Sequence, residues 1–249
     1  MKLRHHLFHS KRTPGHWLKW VEAGSGPTIF FVHGCSGSWT NFTPQLADLS
    51  SDHHVVALDM RGHGSSPWPG PSQLADFETD LEEFVTEVLP GRFVLVLHSF
   101  GGCVGARLAA SMPDRTAAVA FLNTAGSIPK GPTYRFLQLM SSRAHLLSES
   151  MPNLVSTNSE VSQHMLYYTL KEWDVWDLYP KIEVPSLVVL GALDPLIPIT
   201  SGLRMAQLLP EQNLTVFPLG GHVSMWEQPR RLNAMLRALS RRVLLSRVA

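Results

Sequence analysis

Cysteine is scarce in this chain: two in 249 residues, Cys35 and Cys103, in no C-x-x-C spacing. That excludes a disulfide framework and the common thiolate metal sites, and it leaves two reduced thiols. An excess of either charge is lacking too, with 21 Lys and Arg against 20 Asp and Glu. A net charge of +1 supplies no field to draw in a polyanion, so no nucleic-acid partner is expected. No apolar run approaches the ~18 residues that span a bilayer, so no membrane span is expected. The opening MKLRHHLFHSKRTPGHW is basic but has no apolar h-region, so it does not read as a signal peptide. The expected setting is soluble, reducing and cytoplasmic. No cofactor or metal is implied, internal repeats and low-complexity tracts are absent, and nothing fixes the oligomeric state.

What is present is an alternation of short apolar, β-rich runs with longer helical patterns, the signature of βαβ units around a mainly parallel sheet. Candidate strands are Leu18–Ala23, Thr28–Val32, His54–Leu58, Phe93–Leu97, Ala117–Leu122, Ser186–Leu190 and Leu214–Phe217. Most are apolar on both faces, as central parallel strands are. Candidate helices are Thr40–Leu49, Gln73–Val88, Phe100–Ser111, Ser201–Leu209 and Pro229–Ser246. In the second of these, Leu74, Phe77, Leu81, Phe84, Val85 and Val88 recur at three-to-four spacing and make one apolar face. The alternation breaks between 126 and 180, a stretch rich in aromatic residues and methionine with no strong strand. It reads as a helical cap inserted before the acid-bearing strand, dividing the chain into a core of 1–125 and 181–249 and a cap of 126–180. The basic terminal segment from Arg230 to Arg247 reads as a solvated helix face, with a membrane-surface role as the alternative.

Chemistry concentrates at Ser99, in Leu97-His98-Ser99-Phe100-Gly101-Gly102. A buried strand, a serine at a corner and small residues opening a helix lift a hydroxyl clear of the sheet edge. This is the nucleophile elbow G-x-S-x-G with Leu97 in place of its first glycine. A helix N-cap serine is the structural alternative. A serine hydroxyl needs a base, and that base needs an orienting partner. His222, in Leu219-Gly220-Gly221-His222, follows the last strand and is the candidate base; Asp194, in a proline-stiffened loop past the preceding strand, is the candidate acid. An Asp-Pro turn would also explain Asp194. The competing acid position, after Phe121-Leu122, holds the uncharged Asn123. The chain order serine, aspartate, histidine is that of α/β-hydrolases among serine hydrolases. Oxyanion donors are assigned to the backbone N–H groups of Phe100 and Cys35. Trp39, Leu97, His98, Tyr134, Trp173 and Val223 are the candidate pocket residues.

Together, Gly24-Ser25-Gly26-Pro27, His33-Gly34-Cys35-Ser36-Gly37, Asp59-Met60-Arg61-Gly62-His63-Gly64-Ser65, His98 to Gly102, Asp194 and His222 resemble the α/β-hydrolase superfamily. The likeness is to its single-domain, small-cap branch of esterases, perhydrolases and C–C bond hydrolases. It implies an α/β fold with a mainly parallel sheet flanked by helices, and a supporting role for the loop Asp59–Ser65. The cap matches in position only, so substrate identity does not transfer. Leu97 departs from the pattern, and the expected consequence is a shifted pocket floor or lower activity.

The expected function is hydrolysis of a small, fairly hydrophobic carboxylic ester, lactone or thioester through an acyl-enzyme on Ser99. The same residues would serve a C–C bond hydrolase, perhydrolase or acyltransferase. A non-catalytic ligand-binding member of the fold is the third reading.

Overall fold

The computed structural model describes residues 1–153 and 155–245; the expected helix end at Ser246 and the tail through Arg247 lie outside them. In chain order the strands are β1 (Arg4–His9), β2 (Trp17–Ala23), β3 (Thr28–Val32), β4 (His54–Leu58), β5 (Phe93–His98), β6 (Thr116–Leu122), β7 (Ser186–Gly191) and β8 (Gln212–Phe217). They form one sheet in the order β1-β2-β4-β3-β5-β6-β7-β8. β2 runs antiparallel to β1 and β4, and the remaining neighbours pair in parallel. The fold is that of an α/β-hydrolase.

Seven strands lie where the apolar runs placed them, within two residues at their ends. β1 does not announce itself in sequence. Its RHHLFH buries only Phe8, so it carries no apolar run, and pairing with β2 at the sheet edge is what makes it a strand.

Inner strands need cover on both faces, because their side chains alternate across the pleat. Leu95 and Leu97 of β5 enter one core with Phe84 and Val104; Val94 and Val96 enter the other with Leu46 and Leu236. Cover for the second core comes from α1 (Thr43–Leu49), and for the first from α2 (Leu74–Val88) and α3 (Phe100–Ser111). The expected helix over 40–49 begins as a 3-10 turn, Trp39–Phe42, because Pro44 sets α1 from its own first turn.

Three short helices follow β6: α4 (Pro132–Met140), α5 (Ala144–Ser150) and α6 (Ser159–Tyr167). α6 starts where Asn158 Oδ1 accepts the Val161 N–H at 2.9 Å. Then come α7 (Ile199–Leu208), α8 (Ser224–Glu227) and α9 (Pro229–Ser240), with one π-helical turn at Arg241–Leu245 continuing from α9. On the basic face of α9, Arg237 pairs with Asp48 at 2.9 Å and Asp52 at 3.0 Å, which ties this helix to α1. No helix among the described residues is long and apolar enough to cross a membrane.

Because β3, β5, β6, β7 and β8 are parallel, the loops that leave them all open at one edge of the sheet. Ligands in open α/β sheets bind at that edge.

Candidate active site

Ser99 is the first residue past β5 and has φ 50° and ψ −120°, a left-handed backbone rarely held by a residue with a side chain. Such strain costs about 1–3 kcal/mol and persists only where the surroundings impose it. Here its N–H donates to Leu122 O at 3.0 Å, and its carbonyl accepts from the Thr124 hydroxyl at 2.7 Å. The turn aims Oγ back over the sheet edge instead of down the helix. Ser99 occupies the N-cap position of α3 but makes no side-chain cap to it.

His222 stands in the loop after β8. Its Nε2 lies 3.0 Å from Ser99 Oγ, and its Nδ1 lies 2.8 Å from Asp194 Oδ2. A carboxylate only accepts, so Nδ1 carries the proton and Nε2 is left to accept from the serine hydroxyl. The Asp194 carboxyl is 1% exposed. Burial alone would raise its pKa, but the hydrogen bond and charge of His222, with the Ile197 and Leu196 amides, hold it below the usual carboxylate range. Those two amides reach Oδ1 at 3.0 and 2.8 Å, which makes Asp-Pro a turn and a charge site at once.

Asn123 sits one residue past β6, at φ 48° and fully buried. Its Nδ2 donates to Asp194 Oδ2 at 3.1 Å and to Gly221 O at 2.8 Å. Sequence reasoning set Asn123 aside as a failed acid and missed this role; the signal was the polar residue at the end of an inner strand.

The Cys35 amide lies in the turn after β3, and the Phe100 amide opens α3 at the same edge. Gly34 lets the first turn approach: a Cβ there would come within 2.9 Å of Ser99 Cβ and 3.0 Å of His98 Nδ1. The loop is held from below. His33 Nδ1–H donates to Gly34 O at 2.7 Å, while its Nε2 accepts the Met60 N–H at 2.9 Å. Burial drives His33 well below the usual imidazole range, so it keeps this neutral pattern. Asp59 accepts the Trp39 N–H at 2.8 Å and the Ser65 N–H at 2.9 Å, linking the loop Asp59–Ser65 to the turn after β3.

A cavity of about 240 Å³ opens beside Ser99, between the sheet edge and α4–α6. His98, Trp173 and Val223 line it with Cys35, Ser99 and His222. Trp39, Leu97 and Tyr134 do not. Trp39 turns its ring edge-on to His5, 5.9 Å away. Tyr134 spends its hydroxyl on the Leu166 carbonyl and borders a separate depression with Pro129 and Pro195. Leu97 is buried in the core with Phe84 and Val104 and does not itself line the cavity. Its Cδ2 occupies space that a Cβ on Gly105 would enter at 2.3 Å, so the missing side chain on α3 accommodates the large residue on β5.

His98 Nε2–H donates to the His222 carbonyl at 2.8 Å, tying the nucleophile's neighbour to the base's loop. Burial first, and the nearby His222 second, push the His98 pKa down to about 3. Among the described residues, no three His, Cys, Asp or Glu side chains cluster so as to hold a metal ion.

The model of the Alpha/beta hydrolase family matches residues 29–235, from β3 through most of α9. The 3-oxoadipate enol-lactonase 2 of Acinetobacter baylyi is 24% identical, over 87% of this chain and 89% of that protein. A 2-hydroxy-6-oxo-6-(2'-aminophenyl)hexa-2,4-dienoic acid hydrolase of Metapseudomonas resinovorans is 25% identical, over 93% and 90%. A thermophilic esterase from Thermogutta terrifontis superposes with TM-score 0.82 at 24% identity, over 96% of this chain and 99% of that one, a likeness of fold.

Proposed function

The chain belongs to the alpha/beta hydrolase family and is a hydrolase, and on that premise we propose that it is a serine esterase acting through an acyl-enzyme on Ser99. The observation that carries the reading is the unbroken relay from Ser99 Oγ through His222 to Asp194, at 3.0 and 2.8 Å. Its substrate is a small, fairly hydrophobic carboxylic ester, lactone or thioester.

In this mechanism Ser99 Oγ attacks the substrate carbonyl as His222 Nε2 takes its proton. The charge that develops on the carbonyl oxygen is met by the Cys35 and Phe100 N–H groups, each such donor contributing about 10²–10³ in rate. Asp194 holds the tautomer and stabilises the imidazolium. Collapse of the adduct breaks the bond to the leaving group, which departs with the proton from His222. A water then attacks the acyl-Ser99 carbonyl, giving its proton to His222. The second collapse releases the acid and returns that proton to Ser99. Residues 126–180 act as the cap and the remainder as the core.

A C–C bond hydrolase, perhydrolase or acyltransferase would use the same three side chains on a different bond. Treatment with a fluorophosphonate probe and peptide mapping, beside a panel of nitrophenyl esters, tests the proposal. Labelling at Ser99 that Ser99→Ala abolishes, with ester turnover, is the expected outcome. An unlabelled Ser99 in folded protein refutes the mechanism.

A further inference from the structure

The cavity beside Ser99 has polar wall residues, and Asn41, Ser141, Ser162 and Trp173 among them bond their polar side-chain atoms to the protein, while the Ser36 hydroxyl reaches only the Cys35 sulfur at 3.8 Å. Asn41 Nδ2 donates to Asn153 O at 2.7 Å, and the Ser141 hydroxyl donates to Gln138 O at 2.6 Å. Ser162 and Thr157 share a hydroxyl–hydroxyl bond of 2.7 Å, and the Trp173 indole N–H reaches Ala125 O at 3.0 Å. What faces the space is hydrocarbon from Leu137, Met140, Leu166, Leu170 and Ile197.

Formal charge is missing from this wall. Among the described residues no Lys, Arg, Asp or Glu lines the cavity. The cations of the overlying segment lie elsewhere: Lys130, Arg135 and Arg143 are exposed, and Lys171 sits over the Tyr168 ring at 5.8 Å. Of the ionisable wall groups other than His222, burial pushes the Cys35 thiol up to about 11 and the His98 imidazole down to about 3. Both are uncharged near neutral pH.

Resting on the esterase reading above, we propose that this cavity selects an uncharged, unsubstituted hydrocarbon acyl chain and rejects the same chain ending in a carboxylate. The acyl group is the part that stays on Ser99 while the alcohol leaves, and this is the cavity into which Ser99 opens. A carboxylate placed there loses its hydration and meets no cation on the hydrocarbon wall. A methylene placed there leaves water for hydrocarbon.

The test compares kcat/KM for 4-nitrophenyl esters on the wild-type protein. From acetate through butyrate to hexanoate, each added methylene raises kcat/KM about three- to fourfold. The decisive pair is mono-4-nitrophenyl adipate and 4-nitrophenyl 6-methylheptanoate, whose terminal isopropyl group copies a carboxylate in shape. The charged ester is turned over at least about 100-fold more slowly. Leu137→Arg, which adds a guanidinium to a half-buried wall position, narrows that ratio at least about tenfold.

Equal turnover of the two esters, no gain with chain length, or a ratio that Leu137→Arg leaves unmoved overturns the inference. In each of those cases fluorophosphonate labelling of Ser99 still stands, so the esterase reading survives. Absent labelling together with absent turnover of every ester removes both.

Discussion

Asn123 donates its side-chain N–H to Asp194 Oδ2 across 3.1 Å, on the same carboxylate oxygen that accepts from His222. Its second hydrogen bond, to Gly221 O, holds the loop that carries the histidine. The ends of β6, β7 and β8 are thereby joined at one side chain. Asn123→Gly removes the amide while keeping a residue at ease with φ 48°. The expected result is about a tenfold fall in kcat with KM within about threefold, since a hydrogen bond to a charged group contributes about 1.5–3 kcal/mol. Wild-type kcat in steady-state assays would show that Asp194 and His222 are oriented without it.

Gly34 is where the chain passes closest to Ser99. A methyl group there meets Ser99 Cβ at 2.9 Å and His98 Nδ1 at 3.0 Å, so the turn carrying the Cys35 amide must retreat. Gly34→Ala is expected to lower kcat about 10²-fold, as loss of one oxyanion donor does, with a small change in thermal midpoint. Unchanged kcat would place the oxyanion donor elsewhere.

Leu97 and Gly105 form one packing unit. Gly105→Ala drives a Cβ to 2.3 Å from Leu97 Cδ2 and is expected to destabilise by about 1–3 kcal/mol. Leu97→Ala empties a fully buried site and is expected to cost about 2–5 kcal/mol. Combined, the two are expected to cost less than their sum, because the added methyl enters the vacated space. Denaturant melts of the three variants measure this coupling, and strict additivity would contradict it.

At the other end of the sheet, Glu22 bonds Arg4 at 2.9 Å and His54 at 2.7 Å. Partial burial would raise its pKa, but the hydrogen bonds and charges of Arg4 and His54 prevail and draw it down to about 2. A depressed carboxylate contributes stability that is complete above its unfolded value near 4.5 and is lost as pH falls through about 2. Arg4 is largely exposed, so screening keeps the effect to about 1 kcal/mol at pH 7. Urea melts of wild type and Glu22→Gln are expected to differ by that amount at pH 7 and to converge between pH 4.5 and 2. A constant gap would assign the difference to packing.

Much of the fold is local and so was legible. Runs such as Phe93–Leu97 are apolar on both faces, and only a covered inner strand satisfies that pattern. Ser99, Asp194 and His222 were nameable as candidates because each follows an apolar strand run, and β5, β7 and β8 reach the same sheet edge in chain order. β1 was not legible, because a strand with one buried residue owes its form to a neighbour's hydrogen-bonding groups. Pocket membership was hardest. Trp39, Leu97 and Tyr134 have suitable side chains in suitable places along the chain, yet a ring contact, packing against Gly105 and a carbonyl partner occupy them in turn.

The sequence by itself determined seven of the strands and the main core helices, and it singled out Ser99, Asp194 and His222 as candidates, because hydrophobic periodicity and turn chemistry act between near neighbours. Tertiary structure alone decided that Asn123 clasps Asp194, that Gly105 makes room for Leu97, and that Asn41 and Trp173 turn their polar atoms away from the cavity. Those are contacts between residues distant in the chain, and nothing in a one-dimensional pattern records which atom will stand within 3 Å of which.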